Sequence, residues 1–559
     1  MGISLRGRTL VLTAALPLVL GFAPASASLP IGETVLAENM SLVGGLPETS
    51  VIAVEFATDE PTLYASTLTG IRTYDISDPT QPVLQGVLPM AFFQNENVKL
   101  GEREDGTKLL LVGYDLFGVS PTAEPTDVGT TNEFLVVDVT DRTDPTITAR
   151  VQTETRTHTM GCANPECTHA LTSGSNGQFE VYDLTDLEHP EQVAVVDGPQ
   201  GPNESFSSGI GHDWDVDDAG VAWWVGTGGI VAYDVSDPTD PTILNTSDHH
   251  SIDPQWNNYV SHNSQRPNAA AFGENDEEDE DDEEERRGPP TDRPGQGPGD
   301  RPGNGPGDRP GQGPGDRPGQ GLAGGPGQAD GAGGATTADE DVDGAQAVTS
   351  AGQEPDVTAG NVLYVTEEDL SDEFCDDTVG GFQTWHVPEL DPSVNPDGEP
   401  EAGTITPLDQ WTTELASDPA AQLPAAAFCS GHYFDTHDSG IVAQGWYQQG
   451  LRILDPRDPH EIIQIGYYIT GAQETWGARW VPAYDEDGVQ TGELTNLLYT
   501  EDPTRGMEIL EVDLPEEGEQ MAAVEAPILP QWRAGSPDLA ARAQASEWSG
   551  ACVLPPGSA

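Results

Sequence analysis

The chain has 559 residues, with 95 Asp and Glu against 22 Lys and Arg, giving a formal net charge of −73. Such a surface repels nucleic-acid phosphates and anionic lipid alike, so neither is an expected partner. The same carboxylate density keeps a protein soluble in concentrated salt, where screening relieves its self-repulsion.

The first residues read as a secretory signal over 1–27. Arg6 and Arg8 are followed by an apolar run from Leu10 to Phe22, and Ala25-Ser26-Ala27 offers small residues for cleavage. That run is too short to span a bilayer well, and no comparable stretch follows, so no membrane insertion is expected. The mature chain is expected outside the cell or in the cell envelope.

Internal repetition then dominates. Four segments end an apolar strand in Asp: Ile71–Asp75, Phe134–Asp138, Phe179–Asp183 and Ile230–Asp234. Another Asp follows three residues on (Asp78, Asp141, Asp186, Asp237) and a proline seven residues on (Pro82, Pro145, Pro190, Pro241). Asp accepts backbone amides at a turn, and Pro fixes φ and ends ladder bonding. Three weaker copies sit at Gly381–His386, Gly450–Asp455 and Gly506–Glu511. Seven copies, about 45 to about 70 residues apart once the insertion is set aside, predict four short strands per unit and a seven-bladed, all-β propeller. The expected division is 28–272 for blades 1–4 and the start of blade 5, 358–530 for the remaining blades, and 531–559 for a tail. Thr34–Ala37 is expected to close the ring by completing the last blade, with Val524–Leu529 as the alternative.

The strand ending Asp-Ile-Ser-Asp-Pro at Asp75–Pro79, with its relatives in the other blades, resembles the LVIVD-repeat family of bacterial secreted and surface β-propellers. The resemblance is strong in four blades and partial in three. It implies the fold and brings no single activity with it.

Residues 273–357 change character. An acidic run from Glu274 to Glu285 precedes an eight-residue Asp-Arg-Pro-Gly repeat starting at Asp292, Asp300, Asp308 and Asp316. With almost no apolar residues it cannot bury enough surface to order itself, and it is expected to hang between the first two strands of blade 5 as a disordered tether. Calcium binding by the acidic run is the alternative.

Aligning the blades places His158, His212 and His432 at one equivalent position, with His262 at the matching place in blade 5. The corresponding points elsewhere are Asn97, Trp476 and a residue near Val51. Inner strands converge on the central channel, so these imidazoles are candidate ligands for Zn, Cu or another transition metal. Hydrogen bonding between neighbouring blades is the competing role. Asp213, Asp215, Asp217, Asp218, Asp435, His437 and Asp438 lie nearby and are expected to be mostly solvated turns, while His249 and His250 are placed to lid the same rim.

Five cysteines in an exported chain point to disulfides. Cys162 and Cys167 flank a hairpin turn and are expected to pair, with a zinc site including His158 and His169 as the rival. Cys375 and Cys429 are expected to meet on one rim, and Cys552 is left over. The leading functional expectation is a monomeric extracellular scaffold that holds a protein, peptide or glycan and has no assigned catalytic residue. Its rim loops Ser120–Asn132 and Glu414–Phe428 would carry recognition, with Trp446, Tyr447 and Trp476 as contacts. The alternative is a metal-dependent oxidase or hydrolase using the four histidines. A purely structural envelope role, marked by self-association, is the third.

Overall fold

The computed structural model describes residues 35–47, 49–90, 95–114, 132–198, 210–227, 229–247, 260–271, 357–368, 380–388, 390, 404–418, 430–470, 473–516, 518–529 and 532. The leader, most of the insertion, His249, His250, Cys375, Cys429, Cys552 and most of the two long rim loops lie outside them.

The described strands form seven antiparallel sheets in sequence order. Blade 1 runs from its inner strand Val51–Phe56 through Thr62–Thr67 and Gly70–Asp75 to the outer strand Val83–Pro89. The inner strands of blades 2 to 7 are Val98–Glu102, Met160–Cys162, Gly211–Val216, Val260–Gln265, Phe434–Thr436 and Gly477–Tyr484. This is the expected seven-bladed propeller.

The repeat chemistry explains why each blade turns where it does. After the third strand, Asp75, Asp138, Asp183, Asp234 and Asp455 each accept the N–H two residues on, at 2.7–3.2 Å. The second Asp of each pair repeats the bond: Asp78, Asp141, Asp186, Asp237 and Asp458 accept at 2.9–3.1 Å. These turns dock on the preceding blade. Thr73 of blade 1 donates its hydroxyl to the carbonyl of Arg142 in the blade 2 turn, and Thr384 of blade 5 donates to Pro459 O of blade 6 at 2.6 Å. Gly86 is required at that docking point, since a Cβ there would sit 2.3 Å from the Arg142 carbonyl oxygen.

A separate apolar core fills each gap between successive blades. Tyr64 and Ile71 meet Leu110 and Val137 between blades 1 and 2, and Val54 and Leu63 meet Tyr499 and Ile509 between blades 1 and 7. Both faces of a blade are therefore buried, which is why alternation is blurred in the sequence.

Ring closure differs from expectation. Met40–Leu46 pairs with Met507–Val512 and completes blade 7, while Leu36–Glu38 adds a fifth strand to blade 6 through Ile469, Tyr468 and Tyr467. The strand expected to close the ring is thus displaced by the next one along. Met40 and Leu42 pack into the gap between blades 6 and 7. Val524 is no strand; its N–H bonds Gln464 O at 2.9 Å. Trp532, placed in the tail by sequence, is buried against Leu415, Ile469 and Ala526. The insertion falls where expected, because Val260–Gln265 pairs directly with Val362–Glu368. Among the described residues, no helix is long and apolar enough to cross a membrane.

Candidate metal centre

The inner-strand entries of blades 3 to 6 bring their histidines to one place. Ring centroids step from His158 to His212 (4.9 Å), to His262 (3.9 Å) and to His432 (4.2 Å). All four are buried, at no more than 3% exposure. The structure brings together the four histidines that registration of the blades aligns.

Two carboxylates complete the cluster, and neither was singled out by sequence. Glu96, 1% exposed, places Oε2 3.1 Å from His158 Nε2, 3.6 Å from His212 Nε2 and 4.0 Å from His262 Nε2. Glu368 places Oε2 4.0 Å from His262 Nε2. Three overlapping donor sets arise: Glu96 with His158 and His212, Glu96 with His262 and His432, and Glu368 with His212 and His262. Within each set the donor atoms lie within 4.8 Å of one another. An ion bound at about 2.0–2.2 Å holds its ligands no more than about 4.2–4.4 Å apart, so the Glu96 contacts already suit coordination.

Hydrogen bonds fix the rings. His212 Nδ1 lies 2.8 Å from the His262 carbonyl, and His432 Nδ1 lies 2.9 Å from the Trp476 carbonyl. A carbonyl only accepts, so both Nδ1 atoms donate, and in the neutral ring each Nε2 carries a lone pair. Burial and the neighbouring histidines hold His262 well below its usual range, and burial pushes His432 down to about 4. Both are therefore neutral near pH 7, the form that binds metals. Burial works to raise the Glu96 carboxyl, but His158, then hydrogen bonds from His158 and His212, outweigh it and hold Glu96 well below the carboxylate range. An ionised carboxylate thus stands in one donor set with the neutral imidazoles of His262 and His432.

Around this cluster lies an aromatic shell. Tyr433 packs 4.6 Å from His262 and 4.8 Å from His432, while Tyr447 and Trp476 lie 5.0 and 4.9 Å from His432. Trp446, Tyr447 and Trp476 are at most 1% exposed. They are therefore not the surface contacts expected of a recognition rim; the turn carrying Trp446 and Tyr447 folds inward onto Thr475. A crevice between blades 3 and 4, lined by Arg156, His158, Gly211, His212 and Thr227, reaches the near edge of the cluster.

Below the histidines the channel is polar. Asn97 is not in the ligand layer but donates to Asp213 at 2.6 Å. Asp213 and Asp217 are buried, contrary to the expectation of solvated turns. Inner-strand pairing holds Asp213, and Arg266 and Trp223 hold Asp217. Cys162 and Cys167 form the expected disulfide. That uses both thiols and overturns the rival zinc site, and His169 instead contacts the Thr168 hydroxyl at 3.1 Å.

The family model for the LVIVD repeat matches residues 128–153, which cover the third and outer strands of blade 2. The chain is a seven-bladed β-propeller carrying an LVIVD repeat. No curated protein matches the LVIVD propeller. Among solved structures it is similar to the β-propeller domain of Cps50 (Swd1) from Myceliophteria thermophila, at 11% identity and TM-score 0.44, over 85% of this chain and 99% of that one. It is also similar to the periplasmic gluconolactonase PpgL of Pseudomonas aeruginosa, at 11% identity and TM-score 0.40, over 78% of this chain and 97% of that one. Neither score reaches the level at which a likeness bears on function.

Proposed function

We propose that the LVIVD propeller is an exported metal-dependent enzyme, an oxidase or hydrolase, with a Zn or Cu ion held by Glu96 and a pair of the four histidines, His158 with His212 or His262 with His432. One observation carries this reading. His432 is neutral and donates from Nδ1 to the Trp476 carbonyl, which leaves its Nε2 an acceptor in the same donor set as the ionised, buried Glu96 carboxylate. Acceptors facing each other repel, and a cation at their centre turns that repulsion into coordination. The bound ion would supply Lewis acidity or a redox couple, and Glu96 would offset its charge. Export is supported by the leader-like N-terminus and is compatible with the Cys162–Cys167 disulfide.

The test is elemental analysis of protein purified without an affinity tag. One transition-metal ion per chain is expected, lost in the His212→Ala/His432→Ala double variant while the β circular dichroism is kept. A folded wild-type chain that takes up no Zn or Cu, even when these are supplied, overturns the reading. The propeller would then be better described as a scaffold for an extracellular protein, peptide or glycan.

A further inference from the structure

We infer that Tyr447 is a one-electron donor to the histidine centre, with Glu368 as the acceptor of its phenolic proton. The inference rests on the metal reading above and deepens it, because an oxidisable partner at the centre selects a redox ion, Cu over Zn, and oxidation over hydrolysis.

Four observations single out this side chain. Tyr447 is 1% exposed, and its ring packs 5.0 Å from that of His432. Its hydroxyl donates to Glu368 Oε1 in a short contact. The other oxygen of the same carboxylate faces His262 Nε2 at 4.0 Å, so Tyr447, Glu368 and a candidate ligand form one continuous path. The backbone of Tyr447 is also in the left-handed region, at φ +45°, which is costly for a bulky L residue. Surrounding bonds enforce it: Tyr447 N–H donates to Thr475 O at 2.8 Å, Thr475 N–H returns to Tyr447 O at 3.0 Å, and Gly450 N–H reaches Tyr447 O at 3.1 Å. Strain held this firmly in a buried residue beside a polar cluster points to a role for the position.

The chemistry needs both partners. Removing an electron from a phenol in an apolar site leaves a cationic radical unless the proton departs with it, and an isolated buried cation is costly. A carboxylate already bonded to the hydroxyl takes the proton over hydrogen-bond distance. The balanced step joins Tyr447–OH, the Glu368 carboxylate and a one-electron-oxidised metal centre. It yields a neutral phenoxyl radical, the Glu368 carboxylic acid and the reduced centre. A reducing substrate then returns one electron to the phenoxyl, and Glu368 returns the proton. Hydrogen peroxide is the oxidant named for the test.

Copper-loaded full-length protein, grown with ring-deuterated tyrosine or with ordinary tyrosine, is treated with hydrogen peroxide, frozen and examined by electron paramagnetic resonance. A radical signal whose hyperfine structure narrows on deuteration is expected. Tyr447→Phe should abolish it with copper stoichiometry unchanged, and Tyr433→Phe should leave it in place. Glu368→Gln, which still accepts the hydroxyl bond but is a far weaker base, should lower the yield several-fold. Copper-loaded wild-type protein that forms no tyrosine radical overturns the inference, as does a signal that survives in Tyr447→Phe. If Tyr447→Phe does not fold, an unchanged yield in Glu368→Gln overturns it. A chain that binds no copper instead marks failure of the metal reading itself.

Discussion

The carboxylates of the blade turns and those near the axis are the same side chains in opposite surroundings. At the turns, Asp75 and Asp234 accept N–H and hydroxyl bonds from Ser77 and Ser236, which hold both below the usual Asp range. Toward the axis, burial pushes Asp215 and Glu501 up to about 7, with Lys99 and Arg479 only partly offsetting it. Water and amides favour the charge in one place; the protein interior opposes it in the other. In a chain with 95 acidic residues, counting carboxylates therefore says little, and the partner of each one says most.

The largest effect should come from a carboxylate that has a buried cation as partner. Asp217 Oδ2 accepts from Arg266 at 3.1 Å and from Trp223 Nε1 at 2.8 Å, with both charged side chains at most 1% exposed. Asp217→Asn keeps the shape but leaves the Arg266 guanidinium buried without its counter-charge. The expected loss is about 3–5 kcal/mol of unfolding free energy, read by urea denaturation. A loss below about 1 kcal/mol would place Asp217 with the solvated turns and break the contrast.

Glu501 sharpens the comparison through pH. The folded side chain keeps its proton up to about 7, whereas an unfolded glutamate releases it near about 4.3. Between those values the folded state binds more protons, so this contribution is present at low pH and lost as pH rises toward 7. Turn aspartates have the opposite sign, since their contribution is lost as pH falls. Glu501→Gln keeps an acceptor for Val54 N–H, bonded at 3.1 Å, and never ionises. Relative to wild type it should be more stabilising at pH 8 than at pH 5, by on the order of 2–4 kcal/mol. Parallel stability curves for the two proteins would show that Glu501 is not strained by its burial.

The fold was legible because its signal is repeated and local. An Asp that accepts the amide two residues on leaves the same mark in five blades, and two weaker copies of the strand without that Asp complete the wheel. The histidines were legible for a related reason, since registering the blades lines up side chains that share a height on the axis. Glu96 escaped because it enters from the loop before blade 2, one residue ahead of the Asn97 that the alignment selected. Glu368 escaped because its meaning depends on contact with His262 and Tyr447, which pairing across the insertion creates. Trp446 and Tyr447 were misplaced on the rim because a turn is normally exposed, and only tertiary bonds to Thr475 show this one folding inward. Closure was off by one strand because Thr34–Ala37 and Met40–Leu46 are both plausible edge strands, and the depth of the gap each fills decides between them.

The smallest effect belongs to a single turn. Asp234 Oδ1 accepts the Ser236 N–H at 2.8 Å in a partly exposed site, where water can replace the carboxylate if it is removed. Asp234→Ala should therefore cost about 1 kcal/mol or less at pH 7. Because the folded carboxyl is held below its ordinary range, that cost should shrink as pH falls through the folded carboxyl's range, where protonation weakens the same bond in wild type. Thermal unfolding at pH 7 and pH 3 reads both points. A cost near that of Asp217→Asn, or one undiminished between pH 7 and pH 3, would mean the turn is held by its docking on the neighbouring blade through contacts of Asp234 other than its charge. The rim and the axis would then differ in degree of burial rather than in the kind of work their carboxylates do.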